Sequence, residues 1–311
     1  MMVVTKGTSK QGNGIGGMSS RTAAWLAWSL WAVCVVLIVL ALWLDFVTDL
    51  IVTEGPRLGP TMAVLTGVLS LAYPTVGALI ASRLPTNLIG WIFCSLGLLY
   101  IGQRFSEAYA NYALFENSAF PGGEYAAWFS TVVQYPGIIL AGVFLTLLFP
   151  DGRLLSRRWR IVAWMAVLGA GLTGISDAFN PDGLDAGLDT HQYVENPFGV
   201  SAAIGGGLTT YELFDNFSEV GPALLLISSI AALVSLILRL HRAWGDERQH
   251  LKWFLYATLP ASVSFSYIFV IFARLYFPML RFLDPYLPFQ WFFTYFNAYS
   301  VPVFTLLWLC P

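Results

Sequence analysis

The amino-acid sequence predicts an all-α, polytopic integral membrane protein, a helical bundle with about eight transmembrane helices. Three observations support this fold class. The chain is 57% hydrophobic and only 11% charged, with a mean hydropathy of +0.67, whereas a soluble domain carries about 25% charged residues. Apolar runs of roughly 20 residues, the length that crosses a bilayer as a helix, recur along the chain. Positive charge is concentrated in alternate connections between these runs.

Residues 1–22 are polar and rich in glycine, and we interpret them as a flexible cytoplasmic tail. Residues 23–311 form a single transmembrane domain. The first apolar run, 23–44, is long enough to span and is not followed by a small-residue cleavage site, so it is a retained helix rather than a signal peptide. The predicted spans are 23–44, 61–82, 88–107, 125–149, 159–175, 220–240, 251–273 and 290–310.

Two of these spans are supported less well than the others. In the third, the strictly apolar part covers only 88–101, which is too short to cross a bilayer alone. The last is interrupted by Asn297 and Pro302.

The distribution of lysine and arginine sets the orientation. If the N-terminus is cytoplasmic and the chain alternates, 12 of the 16 basic residues lie inside, as the positive-inside rule requires. Eight spans with both termini in the cytoplasm are therefore predicted. The inside residues are Lys6, Lys10, Arg21, Arg83, Arg153, Arg157, Arg158, Arg160, Arg239, Arg242, Arg248 and Lys252.

Two inner turns carry most of this charge. In LLFPDGRLLSRRWR, residues 147–160, the apolar run stops at Pro150, and Asp-Gly is turn chemistry. The segment RLHRAWGDERQHLKW, 239–253, is the second such turn. Because these turns lie against the membrane, we expect them to anchor at anionic headgroups and not to bind nucleic acid. The anchoring residues are Arg153, Arg157, Arg158, Arg160, Arg239, Arg242, Arg248 and Lys252.

The long connection near 176–219 is predicted to lie outside the cell. It is acidic, but NPDGLDAGLD lacks the alternating ligands of an EF-hand loop. We therefore interpret it as a solvated loop and predict no metal site. The sequence also contains no Gly-rich nucleotide loop, no HExxH motif and no nucleophile elbow. It therefore predicts no catalytic residues, no cofactor and no enzymatic activity.

Polar residues interrupt the outer part of the third span. Arg104, Glu107 and Asn111 are spaced i, i+3 and i+7, which places them on one helix face, and Tyr109 and Tyr112 lie beside them. Charged groups at membrane depth normally face a bundle interior or a wet cavity. Two interpretations stay open: these five residues line a ligand-binding pocket open to the outside, or Arg104 and Glu107 simply form an ion pair at the interface.

Several segments in order resemble a known family. They are NLIGW at 87–91, SEAYANYALF at 106–115, LLFPDGRLLSRRWR at 147–160 and GDERQHLKWFLYA at 245–257, with NPFGV at 196–200 as a further match. Together they resemble the multi-spanning N-terminal membrane sensor region of bacterial sensor histidine kinases. The resemblance covers roughly residues 20–305.

This resemblance implies a sensory input module of a two-component signalling protein in the bacterial plasma membrane. The implied partners are the lipid bilayer, a second copy of the chain, a kinase or response partner, and an extracellular or membrane ligand. The chain ends in WLCP without a histidine box or ATP-binding glycine motif. We therefore expect an input module, truncated or free-standing, that lacks its kinase output. The alternatives are a small-solute or lipid transporter, although the two halves show no repeated pattern, and a structural membrane protein.

Overall fold

The computed structural model describes residues 19–47, 67–68, 70–116, 120–149, 152–181, 183–184, 194–201, 203–205 and 208–242. Within these residues the chain forms seven α-helices: α1 Ser20–Val47, α2 Ala72–Arg83, α3 Leu88–Asn111, α4 Gly123–Ile138, α5 Leu145–Leu148, α6 Arg160–Phe179 and α7 Thr210–Arg242. Two π-helical segments, Tyr112–Glu116 and Ile139–Phe144, extend α3 and join α4 to α5. A 3₁₀ turn, Arg157–Trp159, precedes α6, and β1 Ala203–Gly205 pairs antiparallel with β2 Leu208–Thr209.

Five helical segments in the described part of the chain are long and apolar enough to cross a membrane. They confirm the helical membrane-protein class and match the first, third, fourth, fifth and sixth predicted spans. The segments are Ser20–Val47, Leu88–Leu114, Gly123–Leu148, Arg157–Phe179 and Thr210–Arg242.

The remaining predicted spans are described only in part or not at all. Helix α2 covers the second half of the predicted span 61–82. The predicted spans 251–273 and 290–310, the tail 1–18 and the anchoring residues Arg248 and Lys252 lie outside the described residues.

Helix α7 begins ten residues before the predicted span 220–240. Its start is a capping box, in which the Thr209 amide donates to Glu212 Oε2 at 3.0 Å and the Glu212 amide donates to Thr209 Oγ1 at 3.4 Å. The polar residues 210–219 are therefore helical, although hydrophobicity alone assigned them to the acidic connection.

Helices α1, α2 and α3 form one closely packed group. Ala27 of α1 contacts Ala78 and Ala81 of α2 and Cys94 of α3. Gly90 of α3 approaches α2 so closely that a Cβ there would lie 2.7 Å from the Ala81 backbone nitrogen. Small residues let helix backbones approach in a membrane, where the hydrophobic effect does not hold helices together.

Helices α4 to α7 form a second group that is built in the same way. A Cβ on Gly169 of α6 would lie 2.8 Å from the carbonyl oxygen of Gly221 in α7. Closer to the start of α6 and the end of α7, Ala166 and Ala232 pack together with Val143 and Leu147. The two groups meet where α3 packs against α4 and α5, in clusters that contain Ala110 with Ala127 and Phe93 with Leu145.

The alternating helix directions give the bundle a basic end and an acidic end. The basic end holds Arg21, Arg83, Arg153, Arg157, Arg158, Arg160, Arg239 and Arg242. The acidic end holds the acidic residues of the described chain: Asp45, Glu107, Glu116, Glu124, Asp177, Glu195, Glu212, Asp215 and Glu219. Of the lysines and arginines in this part of the chain, Arg104 alone lies in the acidic half.

The free side of α1 has the composition of a lipid-facing surface. Trp25, near the basic end, is 79% exposed, and Phe46, near the acidic end, is 81% exposed. Exposed valines such as Val36 lie between them. From Trp25 to Trp43 the helix rises about 27 Å, close to the hydrocarbon thickness of about 30 Å. Aromatic residues at both ends of an apolar stripe are typical of the two membrane interfaces.

Replacing Gly90 with alanine should destabilise the first helix group. The added Cβ would press on the α2 backbone, and overpacking a tight contact costs about 1–3 kcal/mol. Thermal unfolding of the detergent-solubilised protein measures the effect. Gly102 is the matched control on the same helix, because nothing lies within 4 Å of its Cβ position. Equal melting temperatures for Gly90→Ala and Gly102→Ala would show that the close approach does not exist.

Candidate ligand-binding site at the acidic end

Helix α3 carries the polar residues that the sequence singled out. Its start is fixed at the basic end, where the Asn87 side chain accepts a hydrogen bond from the Ile89 amide at 3.0 Å, and Trp91 Nε1 donates to the Pro85 carbonyl at 3.0 Å. The NLIGW segment is thus a helix cap. From this cap the helix runs without interruption to Asn111, so Arg104, Glu107 and Asn111 reach the acidic end on its last turns.

Arg104 forms an ion pair with Asp45 of α1 rather than with Glu107. The distance from Arg104 Nη2 to Asp45 Oδ2 is 2.5 Å, and the two side chains are 36% and 11% exposed. Arg104 faces α1 because Ala108, one turn further along α3, packs in one cluster with Ala41 and Leu44 of α1. The predicted Arg104–Glu107 pair is therefore replaced by an interhelical pair that spacing within one helix could not reveal.

Glu107 and Asn111 lie on the same side of α3 as Arg104, as their spacing predicted. The Glu107 carboxylate accepts a hydrogen bond from Gln103 Nε2 at 3.1 Å. The Asn111 side-chain oxygen is buried and has no hydrogen-bond partner within the described part of the chain. A buried acceptor without a donor is costly, so this face of α3 favours a ligand that donates hydrogen bonds.

The two predicted tyrosines contact the connection between α3 and α4. The Tyr109 hydroxyl donates to the Pro121 carbonyl at 2.8 Å. The Tyr112 ring packs edge-on against Phe120, with ring centroids 5.3 Å apart. The tyrosines therefore join the end of α3 to the residues that precede α4.

A second polar contact lies between α4 and α6, and sequence reasoning missed it. The Tyr135 hydroxyl donates to the Asp177 carboxylate, and the neighbouring Ser176 hydroxyl donates to the Phe214 carbonyl of α7 at 2.9 Å. The sequence assigned Asp177 to the long acidic connection. Its position in the last turn of an apolar helix, together with a tyrosine inside the preceding span, was the available signal.

The NPFGV segment caps the end of α6. The Asn196 side-chain amide donates to the carbonyls of Ala178 and Asn180, at 3.1 and 2.8 Å. The Phe198 ring packs at an angle of 58° against Trp128 of α4, with ring centroids 4.7 Å apart. Helix ends leave backbone carbonyls without partners, and Asn196 satisfies two of them. This part of the acidic connection is packed against the bundle.

The basic end contains one arginine that differs from the others. Arg239 is half-buried, and its guanidinium donates to the carbonyls of Leu147, Phe149 and Arg153, at 2.6, 2.8 and 2.5 Å. It ties α7 to the turn that follows α5. The other predicted anchoring arginines of the described chain, Arg153, Arg157, Arg158, Arg160 and Arg242, have exposed side chains.

The described residues contain no group of three or more His, Cys, Asp or Glu side chains that could hold a metal ion. The class that the fold defines is a helical membrane protein, by the length and composition of its five long apolar helices. Comparisons with protein-family models, with curated protein sequences and with solved structures found no match to this chain.

A double-mutant cycle should show that Arg104 is coupled to Asp45. Asp45→Asn and Arg104→Gln should each lower the melting temperature, because each removes one charge of a partly buried ion pair. The double variant should be no less stable than the worse single variant.

The control is the same cycle with Glu107→Gln in place of Asp45→Asn. In it, the changes in melting temperature of the two single variants should be close to additive. A larger coupling of Arg104 to Glu107 than to Asp45 would contradict the interhelical pair.

Proposed function

We propose that this chain is a membrane-embedded sensory input module whose ligand binds at the acidic end. The observation that carries the proposal is the Asp45–Arg104 pair, which joins two helices with charged side chains at membrane depth. A charge within a membrane span costs up to about 3 kcal/mol on insertion scales, and such residues are retained for function more often than for stability. The resemblance of the ordered segments to sensor kinase input regions supports the same function.

The site suggests how a ligand acts. Arg104 is more than one-third exposed, whereas Asp45 is mostly buried. A ligand with a carboxylate or phosphate group competes with Asp45 for the Arg104 guanidinium. A guanidinium can form two parallel hydrogen bonds with either kind of group. A donor group on the same ligand satisfies the side-chain oxygen of Asn111. Binding thus exchanges a contact between α1 and α3 for contacts with the ligand and changes how the two helices are held.

In this proposal the protein has eight spans in a bacterial plasma membrane, with the basic end in the cytoplasm. The basic residues of the described chain, apart from Arg104, support this orientation because they lie at one end. An even number of spans directs both termini to the cytoplasm, where a kinase or response partner acts. A second copy of the chain is the expected partner within the membrane.

A transporter is the second candidate, and one observation favours it. Helices α1–α3 and α4–α7 form two packed groups whose first helices run in opposite directions, and many transporters rock two such groups about a central site. The two functions differ in how a cysteine at Asn111 reacts. In a transporter it reacts with reagents from both sides in turn, whereas in a sensor it reacts from the acidic end only.

Cysteine labelling tests the orientation. In a background without Cys34, Cys94 and Cys310, an impermeant maleimide on intact cells should label Glu195→Cys and leave Arg157→Cys unlabelled. Both positions are exposed, so access depends on the side of the membrane alone. Permeabilised cells should label both variants. Labelling of Arg157→Cys without Glu195→Cys on intact cells would reverse the orientation.

Signalling through a fused output tests the function. With a histidine kinase core joined after Pro311 and a response-regulator reporter, Arg104→Gln and Glu107→Gln should change reporter output by about 5-fold or more, the lower range of allosteric coupling. Glu124→Gln is the matched control, because Glu124 is an exposed acid at the same end. Wild-type output from both site variants at normal expression would leave the polar cluster with a structural role only.

A further inference from the structure

The long helix between Gly123 and Leu148 is irregular at its centre. In the π-helical segment Ile139–Phe144, the hydrogen bonds span five residues, and the Leu145 amide donates to the Leu140 carbonyl. Regular spacing has returned where the Phe149 amide donates to the Leu145 carbonyl at 3.0 Å. Between these two bonds, the amides of residues 146–148 face the carbonyls of residues 141–144. One of these four carbonyls is therefore left without a backbone amide donor in the helix.

Ser229 of α7 faces the same place. Its side chain is only 7% exposed, and its hydroxyl has no hydrogen-bond partner within the described residues. The preceding residue behaves differently, because the Ser228 hydroxyl donates to the Leu224 carbonyl of its own helix at 2.7 Å. Buried polar groups in proteins are nearly always paired, so an unpaired hydroxyl needs an explanation.

Gly142 leaves space between the π segment and Ser229. A Cβ at this position would have the Ser229 hydroxyl oxygen as its neighbour, at 3.8 Å. An unpaired carbonyl on one side and an unpaired hydroxyl on the other thus border a gap that a side chain could fill.

We propose that the π segment and Ser229 bind one buried water molecule beside Gly142. The water donates to the free carbonyl of the π segment and pairs with the Ser229 hydroxyl, which provides the two partners that a buried water needs. Val143 and Ala232, which are apolar and buried, lie in the cluster that packs around this part of the helix. The site does not depend on the ligand-sensing function proposed above.

Thermal unfolding of the full chain in detergent tests the site through the sign of two effects. With the water bound, Gly142→Ala displaces it and Ser229→Ala removes a partner, so each should lower the melting temperature by about 2–4 °C. Without the water, Gly142→Ala raises helix propensity, and the new methyl group fits at contact distance. Ser229→Ala then removes the cost of burying an unpaired hydroxyl. Both variants would then melt at or above the wild-type temperature, which would overturn the proposal.

Ser235→Ala is the matched control. Ser235 lies on the same helix, is 0% exposed and also has no hydrogen-bond partner among the described residues. It reports the effect of deleting a buried hydroxyl about two helical turns nearer the end of α7. The proposal requires Ser229→Ala to melt below Ser235→Ala, and equal melting temperatures count against it.

Radiolytic footprinting gives a direct readout that does not depend on variant stability. Radicals formed from a bound water should oxidise Val143, which is 1% exposed, several-fold faster than Ile101, which is 0% exposed and packed between α1 and α3. Gly142→Ala should remove the excess oxidation. Equally slow oxidation of Val143 and Ile101 in the wild-type protein would mean that no water is bound there.

Discussion

Inside a bilayer the chain has no solvent with which to pair its polar groups, and this constraint explains the most specific contacts of the structure. Helix ends leave backbone carbonyls without partners in their own helix, and side chains of the protein can supply the donors. At the basic end Arg239 supplies donors to three carbonyls around the turn after α5. At the acidic end Asn196 supplies donors to the end of α6. Both side chains come from distant parts of the sequence, so satisfying the carbonyls also fixes how the chain folds back on itself.

The same environment determines how the helices pack. Lipid tails are as apolar as leucine, so helices gain little by hiding leucine from lipid and instead gain van der Waals contact by close approach. Gly90 against α2, and Gly169 against Gly221, bring backbones to distances that no larger residue allows. The result is two compact groups of helices. Between them, α3 packs against a helix that is interrupted by the π segment Ile139–Phe144.

The features that the sequence predicted well are those that depend on local composition. Apolar runs identified the five long helices of the described chain, although the strictly apolar part of the third, 88–101, is too short to span alone. The distribution of arginine separated the two ends. The start of α7 was placed too late, because hydropathy does not register the capping box of Thr209 and Glu212. The polar residues of α3 were singled out from the sequence, but their contacts were not. The face of α3 follows from helix periodicity, but Asp45 comes from another helix and 59 residues away. A partner at that separation depends on tertiary packing, which periodicity does not contain.

The π segment could not be predicted either. The residues alone do not determine whether the helix adopts α or π hydrogen-bond spacing there.

Helix α3 offers a physical route between the two ends. It is a continuous α-helix from Leu88 to Asn111, so under the proposed function one unbroken element would connect Arg104 to the basic end. At the basic end its Asn87 cap lies against the turn at Gly152, where a Cβ would be 3.2 Å from the Asn87 side-chain oxygen. Gly152 adopts a positive φ of 69°, a conformation that glycine tolerates best, which lets the turn fit closely against the cap. Arg239 joins that same turn to α7. Exchange of Asp45 for a ligand at Arg104 would therefore act directly on the first helix group, and it would act on α7 through this turn. Helix shifts that switch proteins are about 1 Å in size, which is enough to change such a packed contact.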